Sequence, residues 1–420
     1  ISNTGNADLV ITGFILSSNS LFTVTQPSSF TISSGNSENF SVTFNPQAVG
    51  SETSSITMQT NDSDEVLYDF MVSGEGVVTP TAKSILVDNA GWHYVSFACD
   101  SIDIGDVSGI IQSKGYVQVY DESSIGSDVT SHSDDGWSIP DDLATTTVYK
   151  GDAVAIYTTG ATTISYTCSD PVTDVAVNVI NTCYDDENCS IDFEEVCPAQ
   201  GWNLIGNPYN STIDWDAFDL VGSDVANSVY LWDPENDRYA SYVNGVGTNG
   251  GSRYIAPGQG FFVYSTTTNA DQVVFTDLVK SSENSSFFRL NQNMVLNLSL
   301  DGHTNTIIRI SDLATMDFDM GFDAFELNNP IETDIITTRF GDILYAVNSI
   351  PDFEEEIVMN LAISCQEAGE HELSLPSTDG MNVFLIDNVA DIVHDMSKGV
   401  YVFNTTEGFN TSRFKLRIEK

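Results

Sequence analysis

Cations are scarce in this chain. Only 14 Lys and Arg stand against 60 Asp and Glu in 420 residues, a net charge of −46, and no Lys or Arg precedes Lys83. A field of that sign repels nucleic acid and anionic lipid, so neither is expected as a partner. It suits a solvated surface in a salty or calcium-containing medium. No stretch approaches the ~18 consecutive apolar residues of a membrane-crossing helix. Helical periodicity is nearly absent too; "TIDWDAFDLV" (Thr212–Val221) offers a turn or two.

Signatures of chemistry are also missing. None of the five His (His93, His132, His303, His371, His394) lies in an H-E-x-x-H motif, and no G-x-S-x-G elbow, Walker loop or Rossmann glycine set occurs. The sequence therefore predicts no catalytic residue and no enzyme. The six Cys form no C-x-x-C pair, which argues against zinc. Cys183, Cys189 and Cys197 crowd together, which suits an oxidising compartment. A Cys183–Cys189 disulfide is geometrically feasible, although spacing does not fix the pairing. Cys365 is expected to be buried and free, or joined to a partner that the sequence does not identify.

What is present is strand. Phe40, Val42 and Phe44 alternate with polar residues, as do Ile56 and Met58, and Tyr68, Phe70 and Val72. Period two puts one face on a core and one in water. Clusters of Gly, Asn, Ser and Asp recur at roughly ten-residue intervals, the pattern of an all-β protein built from tandem β-sandwich domains. The boundaries read as 1–78, 85–195, 196–282 and 285–420, with "VVTPTAKS" as an extended linker. The opening "ISNTGNADL" reads as a strand end and a turn, without an initiator Met or a signal peptide. A processed piece of a longer polypeptide is the expectation.

The middle of the chain repeats itself. "GWHYVSFACDSIDIGD" parallels "GWNLIGNPYNSTIDWDAF", Gly91 and Gly201 lying 110 residues apart. Tyr120-Asp121 parallels Trp232-Asp233, 112 apart. "YKGDAVAIYTTGATTISYT" parallels "APGQGFFVYSTTTNADQVVFT", with Tyr149 and Ala256 107 apart. Three blocks in one order at nearly constant offset predict an internal duplication. Trp92 and Trp202 are then expected as equivalent core anchors, with Gly151 and Gly258 turning the chain before a closing strand.

The segments "NTGNADLVITGF", "FTVT", "FSVTFNPQAVG", "SSITMQTND" and "VSGEG" resemble an immunoglobulin-like domain of the choice-of-anchor and spindle-associated type. The strand that precedes N-T-G-N in that family is missing here. Residues from about 85 onward resemble the tail regions of large proteins exported by the type IX secretion system of Bacteroidota. The carrying residues are the "GWNLIGNP" and "PGQGFFV" blocks, Ala314-Thr315, Asp319, Asp323-Ala324, Leu385-Ile386-Asp387, Tyr401-Val402-Phe403 and Arg413-Phe414-Lys415-Leu416. The resemblance implies a secreted or cell-surface protein, with the secretion machinery as a partner.

Two further sets of residues invite a ligand. Asp233, Asn236 and Asp237 in "DPENDRY", and Asp317, Asp319 and Asp323 in "DFDMGFDAF", are candidate oxygen donors for a structural calcium ion, although neither set has complete EF-hand spacing. Solvated turns are the competing reading. Trp232, Tyr239 and Tyr242 are candidates for stacking on a glycan, against the competing reading that they fill the core. The whole predicts a non-catalytic extracellular structural or adhesive protein: a stalk, an adhesin tail or a filament subunit whose partners include other copies of itself. Alternatives are a carbohydrate-binding accessory region of a secreted enzyme, and an export cargo fragment bound to the secretion machinery. No cofactor beyond calcium is expected.

Overall fold

The computed structural model describes residues 1–17, 21–46, 49–77, 80–124, 136–169, 174–182, 201–267, 270–282, 294–328, 333–341, 343–378 and 380–420. The chain is all-β. Among the described residues, the helices are single 3-10 turns such as Trp215–Ala217. Two compact units form, Ile1–Pro80 and Thr81–Lys420.

In the first unit one sheet runs Thr31–Ile32, Leu9–Leu16, Gly50–Thr60, Leu67–Gly76, and Phe22–Thr25 pairs separately with Ser41–Phe44. The alternation read from the sequence buries Ile11, Ile32, Ile56 and Met58. Phe14 packs on Phe40, and Phe22 stacks on Phe44 at 4.7 Å. Leu9 and Val10 face Ile32 and Thr31 on one side, while Ile11–Leu16 is bound along Gly50–Thr60 on the other. Among the described residues Leu67–Gly76 pairs with Gly50–Thr60 alone, which leaves its far side an open edge.

In the second unit the duplication is visible as repeated strand pairing. In the first copy, Ala90–Ser96 pairs with Ala153–Thr159, which also pairs with Val117–Tyr120. In the second, Trp202–Gly206 pairs with Gly260–Tyr264, which also meets Ser228–Asp233. Each copy adds the same two small ladders. Thr81–Val87 with Thr162–Cys168 matches Val175–Val179 with Asp271–Phe275, and Ser101–Asp103 with Thr147–Tyr149 matches Ile213–Asp214 with Tyr254–Ile255. Trp92 faces Tyr157 across its ladder, and Trp202 faces Tyr264 across the equivalent one.

The two Trp are equivalent in position but not in burial. Trp202 is 5% exposed, enclosed by Tyr230, Tyr264 and Phe325. Trp92 is half-buried and meets Tyr157 edge-on at 5.4 Å. The difference arises because Phe325 belongs to the C-terminal segment, which covers the second copy at this point. One apolar cluster draws on Ala153, on Trp202, Tyr230 and Phe262, and on Phe325 and Tyr345, joining the segments 85–195, 196–282 and 285–420 inside a single core.

The last segment forms one long sheet, in the order Ile392–Asp395, Asn382–Asp387, Gly408–Glu419, Glu356–Cys365, Ile335–Phe340, Ile343–Ile350, Thr304–Ile310, Met294–Leu300, Gly369–Ser374, Tyr401–Thr405. It folds over itself, because Leu385 and Leu416 from one end share a core with Leu296 and Phe403 from the other. "SRFKLRIEK" is an inner strand of its own domain, bonded on both sides.

Candidate functional site

The hairpin Ser228–Asp233/Arg238–Val243 gathers most of the candidate ligand-binding residues. Its tip is shaped by Asp233, whose carboxylate accepts the backbone N–H groups of Glu235 and Asn236 at 3.1 and 3.4 Å and the Asn236 side-chain amide at 2.7 Å. Asp237 sits in the left-handed region at φ 51°, where Asp is among the better-tolerated residues. Arg238 approaches Asp233 at 3.7 Å. These interactions shape a turn and occupy the carboxylate that a cation would need.

The acidic run from Asp317 to Asp323 is used similarly. Asp319 accepts the Thr315 N–H at 2.6 Å and the Thr315 hydroxyl at 3.2 Å. Asp323 is fully buried and accepts the N–H groups of Asp319 and Ser349 at 2.8 and 2.6 Å. Burial pushes its carboxyl up to about 7, against the pull of those two donors. Asp317 is exposed. Among the described residues no group of three or more His, Cys, Asp or Glu is arranged to hold a metal ion.

The aromatic residues form a seam between the two copies. Trp232 and Tyr239 face each other across the hairpin at 4.9 Å, and Tyr94 of the first copy packs on both. The Tyr94 and Tyr239 hydroxyls are 2.6 Å apart, and burial raises both phenols above their ordinary range. Phe262 and Trp137 complete the cluster. Tyr242 is 4% exposed and donates to Asp216 at 2.7 Å; Arg253 binds Asp216 and Asp214. Tyr242 therefore offers no ring face to a sugar, and Trp232 and Tyr239 are half-buried rings spent on packing. Trp232 Nε1, Arg238 Nε and Glu326 Oε2 are buried here without a hydrogen-bond partner. They lie beneath the surface, so they do not form a platform.

One constellation looks catalytic in outline. His371 Nδ1 lies 2.6 Å from Asp301, and Cys365 is the free cysteine among the described residues. The His371 Nε2 is already engaged with the Glu367 carbonyl at 3.0 Å, leaving no free ring nitrogen to act as a base. The Cys365 thiol is 1% exposed, and burial, with Asp334 and Asp301 nearby, pushes it up to about 12. It is not a thiolate at neutral pH. The group braces strand ends.

The described residues hold a disulfide that the sequence did not single out. Cys183, Cys189 and Cys197 fall outside the described residues. The bond observed joins Cys99 to Cys168, with Cα atoms 5.7 Å apart. It ties the segment after Ala90–Ser96 to the end of Thr162–Cys168. In the second copy Tyr209 stands where Cys99 does, and its hydroxyl donates to the Phe275 carbonyl at 2.9 Å. The same two segments are thus pinned covalently in one copy and by a hydrogen bond in the other. The alignment of the repeats held the available signal, since it sets Cys99 against a core aromatic.

Three of the motifs that carried the C-terminal resemblance, around Asp387, Tyr401 and Arg413, meet in space. Arg413 binds Asp387 at 2.8 and 3.1 Å, Tyr401 donates to Asp387 at 3.0 Å, and the Arg413 guanidinium lies over Phe403 and Phe414. Burial alone would raise the Asp387 carboxyl; Arg413, Tyr401 and the N–H groups of Ala390 and Val389 hold it below its usual range. The "GNP" of the second copy is equally structural. Asn207 is fully buried, donates to Ser211, Ile255 and Ala256 carbonyls and accepts the Tyr209 N–H.

A family model described as "Domain of unknown function (DUF8693)" matches residues 3–418. The chain belongs to that family. No curated protein matches it in sequence. The match spans both units.

Proposed function

We propose that this chain is a non-catalytic extracellular structural or adhesive protein, a stalk or filament-forming segment at a cell surface. The observation that carries the reading is where its reactive side chains go. The candidate Asp, His and Tyr residues are engaged in turns, strand braces and core packing, while a buried Cys99–Cys168 bond staples the first copy. Structural disulfides belong to oxidising compartments. The type IX export route is supported by the quoted sequence blocks, and the secretion machinery is the partner it names.

An accessory carbohydrate-binding role draws less support, because a stacking platform needs exposed ring faces and Tyr242 has none. The test is protease shaving of intact cells that express the chain. Release of its peptides from unbroken cells, with Cys99 and Cys168 recovered as a linked pair, is expected. Peptides recovered only after lysis would overturn the surface assignment. A glycan array on the purified chain separates the carbohydrate reading.

A further inference from the structure

The outer face of the C-terminal sheet differs in charge from the rest of the molecule. Along Gly408–Glu419, Phe414, Leu416 and Ile418 point into the core, so Lys415 and Arg417 point outward. By register Lys415 lies between Ile386 and Asn360, and Arg417 between Phe384 and Val358. Arg339 lies opposite Asn360, and Val393 opposite Ile386, on that same face. Val358 and Val393 are 47% and 56% exposed, and no layer of the described residues covers them. The Arg417 guanidinium lies 4.7 Å over the Phe384 ring and 3.0 Å from Glu419. The acidic residues Glu356, Glu419 and Asp395 stand at the margin. A chain of net charge −46 thus carries one open face where cations alternate with apolar side chains.

The complementary surface exists in the same sequence. Ile1–Pro80 carries eight carboxylates and no Lys, Arg or His. Among the described residues its strand Leu67–Gly76 has an open edge, with Leu67, Tyr68 and Met71 exposed on the same strand as Asp69 and Glu75. We propose that the cationic–apolar face around Lys415 and Arg417 docks the acidic–apolar edge strand Leu67–Gly76 of a second copy of this chain. The two surfaces are different, so the contact is heterologous and does not close on itself by necessity; repeated, it builds an open row of molecules. Charge complementarity sets the orientation of the contact. The proposal rests on the structural reading above and names the partner surface for it.

Ionic strength gives the contact a signature. Two copies this acidic repel over about 30 Å at 0.01 M salt, but only over about 8 Å at 0.15 M, while 1 M salt screens to about 3 Å and weakens the contact pairs themselves. Sedimentation velocity of the full chain is expected to show the largest species near 0.15 M, with at least a rough doubling of mass over the monomer, and dissociation at both extremes. Lys415→Glu with Arg417→Glu, or Lys415→Glu alone, should give monomers, as should Asp69→Lys with Glu75→Lys. Lys114→Glu, at an exposed site far from this sheet in sequence, should assemble like the parent. Mixing the two reversed variants should restore association, because each retains the half that the other lacks. Thermal melts matching the parent's confirm that the variants are folded. A monomer at all three salt concentrations, or assembly that survives the Lys415 and Arg417 reversals, overturns the proposal. Surface shaving tests the structural reading separately, so the two can fail independently.

Discussion

The backbone N–H of Ser96 donates to the Gly258 carbonyl at 2.9 Å, and the N–H of Gly206 donates to the Gly151 carbonyl at 2.8 Å. Ser96 and Gly206 are equivalent residues of the two copies, and so are Gly151 and Gly258. The bonds are therefore the same contact made in both directions, the mark of a pseudo-two-fold relation. A Cβ on Gly206 would lie 2.1 Å from the Ser96 Cβ, and one on Gly258 would lie 2.5 Å from Ile85. Gly206→Ala should cost about 1–3 kcal/mol by overpacking. Ser96→Gly should recover much of that loss in the double variant, since it removes both the clashing Cβ and a buried hydroxyl without a partner. Urea unfolding of the four-member cycle measures the coupling. Additive losses would mean that the copies are not in contact here.

Trp202 and Trp92 should part company in energy. Trp202→Ala removes an enclosed ring and is expected to cost about 3–5 kcal/mol. Trp92→Ala removes a half-buried ring and should cost clearly less. Equal losses in denaturant titrations would contradict the covering role of Phe325.

Reduction of Cys99–Cys168 releases a loop with a sequence separation of 69. Chain entropy alone predicts a loss of about 4 kcal/mol. The bond is buried, so strong reductant should act only once denaturant opens the fold. Guanidinium midpoints of the oxidised protein and of a Cys99→Ser/Cys168→Ser variant check the magnitude; identical midpoints would show the bond to be mechanically idle.

Stability should fall as pH rises from about 4 to about 7. Burial raises the Asp323 and Glu326 carboxyls to about 7. In the unfolded chain both lose their protons near pH 4, so over this window the folded state binds more protons. Stability present at low pH is then lost as pH climbs through the folded values, by about 1.4 kcal/mol per pH unit for each group. Asp323→Asn and Glu326→Gln should each flatten that slope, whatever they do to absolute stability. A parent protein whose unfolding free energy rises across this window would refute the assignment.

Asp319→Ala should cost about 1–2 kcal/mol through the lost Thr315 bonds. Melting curves in calcium and in chelator, at fixed ionic strength, should show the same loss. A penalty that appears only when calcium is present would return Asp319 to the role of a metal ligand.

Much of the fold was legible in the residues because its signals are local. Strict alternation set Phe414, Leu416 and Ile418 inward and Lys415 and Arg417 outward, since a strand has a period of two. The offsets near 110 residues placed Trp92 and Trp202 at matching strand starts. What only the tertiary structure decided are long-range encounters. Sequence spacing says nothing of which Cys meet, so Cys99 and Cys168 came together through the folding of the first copy and not through nearness in the chain. The Asp233 and Asp319–Asp323 turns could not be resolved from sequence, because an Asp-rich turn has one composition whether its oxygens face a cation or its own backbone N–H groups. The direction those oxygens face is set by φ, ψ and packing. Tyr242 and Tyr239 looked like a platform for the same reason: a ring's exposure depends on what the other copy brings against it.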